Sequence, residues 1–252
     1  MDALGIEKKI STELRSLGLR ESGVVLVHSS LGSLGQVPGG PETVIRGLWD
    51  ALGPEGTLLM PALSYETVNA DNPVFDVVRT PSNVGRIPEY FRTRAGSIRS
   101  INPTHSVSGI GPQAELLLNK HILDESPCGP NSPYRLLSGF KGQILFIGCG
   151  LCPNTSMHGV EELVNPPYLF GSMNTYKIIF PDGKETQIKC KRHNFKGYRQ
   201  RYDRIESLLP KEGLKTGQVL NAKVQILESK IMWEKGYEAI SKDPLYFVEK
   251  IE

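Results

Sequence analysis

The stretch GVVLVHSS, residues 23–30, is a short run of β-branched and apolar residues that ends in hydroxyl-bearing side chains. Its apolar positions are continuous rather than alternating with polar ones, which is typical of a strand buried on both faces of a sheet. A helix is predicted downstream at 41–53, because Pro41 suits a first helical turn and Gly53 suits a helix end. This order of strand and helix favours a parallel sheet covered by helices.

The same order is repeated along the first two thirds of the chain. Further strands are predicted at 56–63, 106–111 and 143–150, and further helices within 83–96, at 112–122 and at 155–164. We therefore predict an α/β fold with three layers (α/β/α) and a largely parallel central sheet. Functional groups should then gather in the loops beyond the carboxyl ends of the strands, which here read HSS, MP and GCGLCPN.

The pattern changes after residue 165. A PDG turn separates the alternating runs 175–180 and 184–192, which predicts an antiparallel hairpin. Helical segments are predicted around 197–208 and 227–241. We expect a single domain over 1–252, in which a C-terminal hairpin and helical appendage occupies about 166–252.

The composition is that of a soluble globular protein, and the charge argues against some partners. Of 252 residues, 29 are basic and 27 acidic, which leaves a net charge of +2, so no nucleic acid partner is expected. No apolar run approaches the ~18 residues of a membrane span. The N-terminus lacks the apolar core of a signal peptide, so the expected location is cytoplasmic, with no membrane partner.

Cys149 and Cys152 form a C-x-x-C in GCGLCPN, for which we consider three roles. A zinc site would need further ligands, of which His158 is a nearby candidate, and a redox motif should open a helix. Gly150 and Pro153 indicate a loop instead. Unpaired thiols are therefore the favoured interpretation, and no metal is expected.

The segment NTSMHGVEELV, residues 154–164, puts a histidine inside a predicted helix. His158 and Glu161 are three residues apart, and His158 and Glu162 are four apart, so each pair shares a helix face. By spacing alone, the pair is compatible with a general base, a metal site or a solvated helix face.

Two loops carry groups that suit an anionic ligand. HSSLGSLGQVPGG, residues 28–40, combines glycines and hydroxyls ahead of a helix, although it matches neither a P-loop nor a dinucleotide-binding motif. RSINPTHSV, residues 99–107, either offers Arg99 to a phosphate or is a proline-stiffened loop in which His105 makes a structural hydrogen bond.

Other polar features are interpreted as structural. The basic run at 189–204 is more typical of a solvated face than of an RNA surface. His121 and His193 stand alone in the sequence, so surface or structural roles are expected for both.

Five segments in this order resemble the aminoglycoside 3-N-acetyltransferase-like family, also called the antibiotic N-acetyltransferase family. They are VHSSLGSLGQVPGG (27–40), GPEGTLLMPALSY (53–65), IRSINPTHSVSGIGPQA (98–114), CGPNSPYRLL (128–137) and IGCGLCPNTSMHGVEEL (147–163). The ending at 220–248 is similar to the closing helices of the family, so the resemblance spans nearly the whole chain. It implies transfer of the acetyl group of acetyl-CoA to an amine, on an α/β/α fold distinct from that of the GNAT acetyltransferases.

The resemblance also implies roles for individual residues. The family's T-x-x-H-x-x-E pattern is met by Thr155, His158 and Glu161, which implies that His158 is the general base and Glu161 the carboxylate that orients it. The CoA-binding segments correspond to Ser29, Ser30, Leu31, Arg99, Thr104, His105, Ser106 and Val107. The residues expected to contact the acceptor are Tyr65, Glu66, Asn131 and Thr155. Acetyl-CoA is the expected acyl donor, transferring its acetyl group directly.

The charge pattern bears on the identity of the small-molecule amine acceptor. Aminoglycosides carry several positive charges and need a site rich in carboxylates. Few carboxylates lie near the motifs, namely Glu66, Asp71, Asp76, Glu161 and Glu162. The acceptor hypotheses are therefore an aminoglycoside or a less cationic amino sugar, linked to a nucleotide or part of a glycan precursor. The alternative function is a CoA-binding regulatory module without transferase activity. Exposed apolar faces on the last two helices would support a homodimer.

Overall fold

A computed structural model describes residues 1–251. Its α-helices are α1 (Ala3–Leu17), α2 (Pro41–Leu52), α3 (Arg86–Thr93), α4 (Ala114–Leu118), α5 (Pro133–Leu136), α6 (Ser156–Val164) and α7 (Ser229–Lys242). Short 3-10 helices lie at Leu31–Leu34, His121–Leu123, Tyr202–Leu208 and Lys211–Gly213. None of the described helices has the length and apolar character needed to cross a membrane.

The strands form one large sheet and two small ones. They are β1 (Val24–Ser29), β2 (Thr57–Pro61), β3 (Val74–Asp76), β4 (Ile98–Arg99), β5 (Val107–Ile110), β6 (Gln143–Ile147), β7 (Phe170–Ile179), β8 (Glu185–His193), β9 (Tyr198–Gln200), β10 (Leu214–Val219), β11 (Ala222–Glu228) and β12 (Val248–Lys250). The large sheet has seven strands in the order β10-β11-β6-β1-β2-β5-β4. Strands β6, β1 and β2 pair in parallel at its centre.

The predicted fold class is confirmed. Because β5 and β11 are antiparallel to their neighbours on both sides, five of the seven strands (β10, β6, β1, β2 and β4) run in one direction. The continuous apolar run of β1 supplies both faces of this sheet. Val24 and Leu26 enter one core, which also contains side chains of α4 to α7, whereas Val25 and Val27 enter a second core beside α1, α2 and α3. The sheet is thus the middle of three layers.

The C-terminal third differs in part from the expectation. The predicted hairpin is present as β7 and β8, which join β3 in a separate three-stranded sheet. Residues 214–228 are not part of a helical appendage, because they form β10 and β11 at one end of the main sheet. Val224, Ile226 and Leu227 are fully or almost fully buried there. The segment at 197–208 is a short strand followed by a 3-10 helix rather than an α-helix.

A glycine directly after β6 allows the loop that follows β1 to approach closely. Gly148 has φ of +65°, and a Cβ at this position would collide with the side chain of Ser33. The hydroxyl of Ser33 donates to the carbonyl of Ser30 at 2.7 Å, so a collision would disturb the loop at the end of β1.

We expect Gly148→Ala to lower the free energy of unfolding by about 2–4 kcal/mol, from backbone strain plus the collision with Ser33. Gly150→Ala is the matched control, because Gly150 has φ of +64° and open space around it. Only the strain, about 1–2 kcal/mol, should remain there. Urea unfolding of both variants measures the difference, and equal losses would show that the close approach contributes nothing.

Candidate active site

A cavity of about 580 Å³ opens at the carboxyl ends of the parallel strands β1, β2 and β6. Parallel strands bring these ends together at one side of a sheet. The cavity is lined by His28, Ser29, Pro61, Leu63, Tyr65, Val84, Pro88, His105, Cys149, Cys152, Pro153, Thr155, His158, Arg192, His193, Asn194, Phe195, Gln200 and Tyr202. Its walls thus combine the strand ends, the start of α6 and the segment that follows β8.

His158 lies in the first turns of α6, in contact with a buried carboxylate and a buried phenol. Its Nδ1 atom is 3.3 Å from Oε2 of Glu161, and the hydroxyl of Tyr202 is 2.7 Å from the same Nδ1. Glu161 is fully buried and accepts hydrogen bonds from the hydroxyls of Tyr202 at 2.6 Å and Tyr168 at 2.8 Å. The helical spacing predicted from the sequence therefore brings His158 and Glu161 into contact.

The hydrogen bonds around Tyr202 assign the tautomer of His158. Burial raises the pKa of the Tyr202 hydroxyl well above its usual range, so this group keeps its single proton. That proton is donated to Glu161, and the phenol oxygen is left to accept from His158. Nδ1 of His158 therefore carries a proton, and Nε2 is the ring nitrogen left free to accept one.

Two further histidines surround His158. The ring centroids of His105 and His193 lie 5.5 Å and 4.7 Å from that of His158. Burial lowers the pKa of both His105 and His193 well below the usual value, so both are neutral. Within the described part of the chain, these three histidines are the group with the spacing of a metal site, because their ligand nitrogens lie within 4.8 Å of one another.

Five of the expected catalytic and binding residues line the cavity, namely Ser29, Tyr65, His105, Thr155 and His158. Tyr65 is partly exposed and lies beside His105, with 6.1 Å between the ring centroids. Ser30 and Leu31 continue the loop after β1, just beyond the lining residues.

Arg99 was expected to meet a phosphate, but its guanidinium is buried among protein acceptors. It donates to the Ser106 hydroxyl at 2.8 Å and to the carbonyls of Ala62 and Thr80 at 2.8 Å and 2.6 Å. Burial lowers its pKa to about 9. Because these bonds use all three guanidinium nitrogens, Arg99 holds neighbouring segments together rather than presenting donors to the cavity.

The other expected binding residues do not line the cavity, and most have their polar groups bonded within the protein. Ser106 donates its hydroxyl proton to Ala62, and Val107 lies inside β5. Thr104 is buried with its hydroxyl against Nδ1 of His105 at 2.8 Å. Asn131 is held by Asp124 through its backbone and side chain, at 3.0 Å and 2.8 Å. Glu66 is exposed and does not line the cavity.

His193 and Tyr202 are two residues beside His158 that the sequence did not assign to the site. His193 was expected at the surface or in a structural role, yet it ends β8 and lines the cavity. Tyr202 is 44 residues from His158, so no local spacing relates the two. Their only sequence signal is the mixture of aromatic and basic residues in the run 189–204.

Cys149 and Cys152 are free thiols that line the cavity. Cys128 and Cys190 are also free thiols, but they are buried and do not line it. Burial raises the pKa of Cys149 to about 11, which keeps this thiol protonated. Cys152 donates to a carboxylate oxygen of Asp203 at 3.2 Å. Both observations agree with unpaired thiols of low reactivity.

Comparison with known proteins gives the family. The family model for aminoglycoside 3-N-acetyltransferase matches residues 26–240. Aminoglycoside N(3)-acetyltransferase IV of Salmonella sp is 30% identical over 243 residues, covering 95% of this chain and 89% of that enzyme. Aminoglycoside N(3)-acetyltransferase VII of Streptomyces paromomycinus is 33% identical over 176 residues, and this match spans 63% of this chain and 61% of the enzyme.

A solved structure is similar over almost the whole chain. It is a mutant of the aminoglycoside acetyltransferase AAC(3)-IVa in complex with a gentamicin, with a TM-score of 0.82 and 30% identity. The alignment covers 96% of this chain and 90% of that chain. Because the family model spans well over half of the sequence, the chain belongs to the aminoglycoside 3-N-acetyltransferase family.

Proposed function

We propose that this chain transfers the acetyl group of acetyl-CoA to an amino group of an amino sugar, with His158 as general base. The observation that carries the proposal is the set of contacts around His158, from which its tautomer is inferred. Its Nδ1 proton is held by Tyr202 and Glu161, while its Nε2 is free beside a cavity. A buried carboxylate behind such an imidazole fixes the tautomer and stabilises the imidazolium that forms.

Amine chemistry explains why a base is needed. An amine is largely protonated at neutral pH, and its lone pair attacks only after a proton has left. In the proposed reaction Nε2 of His158 takes that proton and releases it to solvent. The nitrogen then forms a bond to the thioester carbon, Nε2 takes a second proton from the nitrogen, and the carbon–sulfur bond breaks. The proton on His158 then passes to the departing CoA thiolate, so His158 is ready for another turnover.

The loop after β1 fits the thioester of acetyl-CoA. In the described part of the chain, no group is hydrogen-bonded to the buried hydroxyl oxygen of Ser29, which lines the cavity. That hydroxyl is free to donate to the carbonyl oxygen, which becomes negative as the amine attacks. Ser30 and Leu31 extend the same loop toward the glycine-rich segment at 35–40, whose backbone N–H groups suit the phosphates of CoA.

Aminoglycosides are the first acceptor candidates, because the relatives are named for them. One observation favours a less cationic amino sugar as the second candidate. Among the described residues that line the cavity there is no aspartate or glutamate, whereas Arg192 is a lining residue. A polycationic acceptor gains little from such a wall, and a nucleotide-linked or glycan-precursor amino sugar carries the negative charge that suits Arg192.

Thiol release from acetyl-CoA, measured with a panel of amines, tests the proposal. The panel contains kanamycin-type aminoglycosides, nucleotide-linked amino sugars and simple hexosamines. Release with any of these amines supports acetyl transfer, and the ranking of kcat/KM identifies the acceptor class. Faster release with aminoglycosides than with nucleotide-linked amino sugars would reject the second candidate. Binding of CoA without release for any amine would instead support the regulatory module.

A further inference from the structure

We propose that His193, held by Glu162, is a second histidine of this site, and that its Nδ1 atom binds a hydroxyl on the acceptor next to the reacting amine. The inference rests on the proposed function and adds a determinant of acceptor specificity. The site would then contain two histidine–carboxylate pairs, His158 with Glu161 and His193 with Glu162. The two carboxylates come from neighbouring positions of α6.

Glu162 determines which nitrogen of His193 faces the acceptor. Its carboxylate accepts from the backbone N–H of Cys128 at 2.8 Å and from the hydroxyl of Ser126. Its Oε1 lies 2.9 Å from Nε2 of His193. Because both oxygens of Glu162 already accept hydrogen bonds, we infer that Glu162 also accepts from His193, so that Nε2 of His193 carries the proton of the neutral ring. Nδ1 of His193 is consequently unprotonated and can accept a hydrogen bond.

That acceptor atom is buried without a hydrogen-bond donor from any described residue. The side chains of His193 and Glu162 are each only 5% exposed. An unpaired buried polar atom costs about 1–3 kcal/mol. A ligand that donates a hydrogen bond here removes this cost, and His193 lines the cavity in which the acceptor is proposed to bind.

The neighbours of His193 indicate which part of the acceptor it meets. Its ring lies 4.7 Å from that of His158 and 5.0 Å from that of His105, measured between centroids. The ligand nitrogens of the three rings lie within 4.8 Å of one another. An amine that gives its proton to His158 therefore has its neighbouring ring substituents within reach of His193. Hexosamines, whether free or linked to a nucleotide, carry a hydroxyl beside the amine, and a hydroxyl is the donor that a neutral imidazole nitrogen accepts.

Two substitutions of His193 test the hydrogen bonds of its two ring nitrogens separately. In His193→Asn the side-chain amide occupies the place of Nδ1, so a partner for the acceptor hydroxyl is retained. In His193→Gln the amide reaches the place of Nε2, so the bond to Glu162 is retained and the bond to the acceptor is lost. His121→Gln is the control, because His121 is buried away from the cavity with Ser100 and the carbonyl of Pro127 as its partners.

The test uses the hexosamine or nucleotide-linked amino sugar that gives the fastest thiol release, and its analogue lacking the hydroxyl beside the amine. Release with aminoglycosides alone would overturn the inference while leaving acetyl transfer intact. With the hydroxyl present, His193→Gln should lower kcat/KM by roughly tenfold to a hundredfold, mostly by raising KM. With the deoxy analogue, the same variant should differ little from the unsubstituted protein. His193→Asn should retain most of the lost activity, and His121→Gln should affect both amines equally.

Comparing two amines on one variant removes the effect of altered folding, which is common to both. Equal losses with the hydroxyl amine and its deoxy analogue would overturn the inference while leaving acetyl transfer intact. No thiol release by the unsubstituted protein with any amine would instead reject the proposed function, and the inference with it.

Discussion

His158→Ala is expected to lower kcat for acetyl transfer by on the order of 10²–10⁴, the usual contribution of a general base. The alanine variant retains the cavity but has no group at the position of Nε2, so the protonated amine is not activated. KM for acetyl-CoA should change little, because the donor is proposed to be held by the loop after β1. Thiol release at saturating amine measures kcat, and the dependence on acetyl-CoA concentration measures KM.

Imidazole added to the His158→Ala reaction provides a control for the base assignment. A small base that fits the space left by the ring should restore part of the rate in proportion to its concentration. Activity that survives the substitution unchanged would mean that another group takes the proton, and His193 would be the first candidate because its Nδ1 is unprotonated.

Glu161→Gln should lower kcat by a comparable amount, again on the order of 10²–10⁴, because the tautomer of the base would be lost. A side-chain amide has one acceptor oxygen and an NH2 group that only donates, whereas both carboxylate oxygens of Glu161 accept, one from the hydroxyl of Tyr168 and one from that of Tyr202. The network can then no longer hold the proton on Nδ1 of His158. Steady-state kinetics measures the loss, with thermal unfolding measured in parallel.

Glu162→Gln is the matched control, since it removes the same charge from the next residue of α6. Glu162 contacts His193 rather than His158, so its substitution should raise KM for the acceptor and leave kcat much less affected. A larger fall in kcat for Glu162→Gln than for Glu161→Gln would contradict this assignment. It would indicate that His193 with Glu162, rather than His158 with Glu161, acts as the base.

The central layers could be predicted from sequence because their signal is local. The continuous apolar run of β1 indicates a strand buried on both faces, and its side chains do alternate between two cores. Strand β11 was not predicted, because its structure depends on a contact with a distant part of the sequence. A short apolar run such as AKVQILE is compatible with a helix or a strand by periodicity alone. Pairing with β6, which is far away in the sequence, decides between them.

The site shows the same division between local and distant contacts. His158 and Glu161 share one turn of helix, so their contact follows from a spacing of three residues. Tyr202 and His193 reach the cavity from the C-terminal half, and only the folded chain brings them to α6. The expectation that Arg99 binds a phosphate failed for a different reason. Its residue type suits a phosphate, but burial among carbonyl groups gives it a structural position that no motif reveals.

The most direct test of acetyl transfer to an amine is a mass-spectrometric comparison of protein and amine after incubation with acetyl-CoA. Direct transfer predicts that the acetyl group appears on the amine in an amount equal to the thiol released, and that the protein keeps its unmodified mass with or without amine. An acetylated protein that forms without amine and disappears when amine is added would contradict direct transfer and point to a covalent intermediate, with Cys149 and Cys152 as the thiols that line the cavity. An amine that remains unacetylated while CoA binds would contradict the enzymatic function itself.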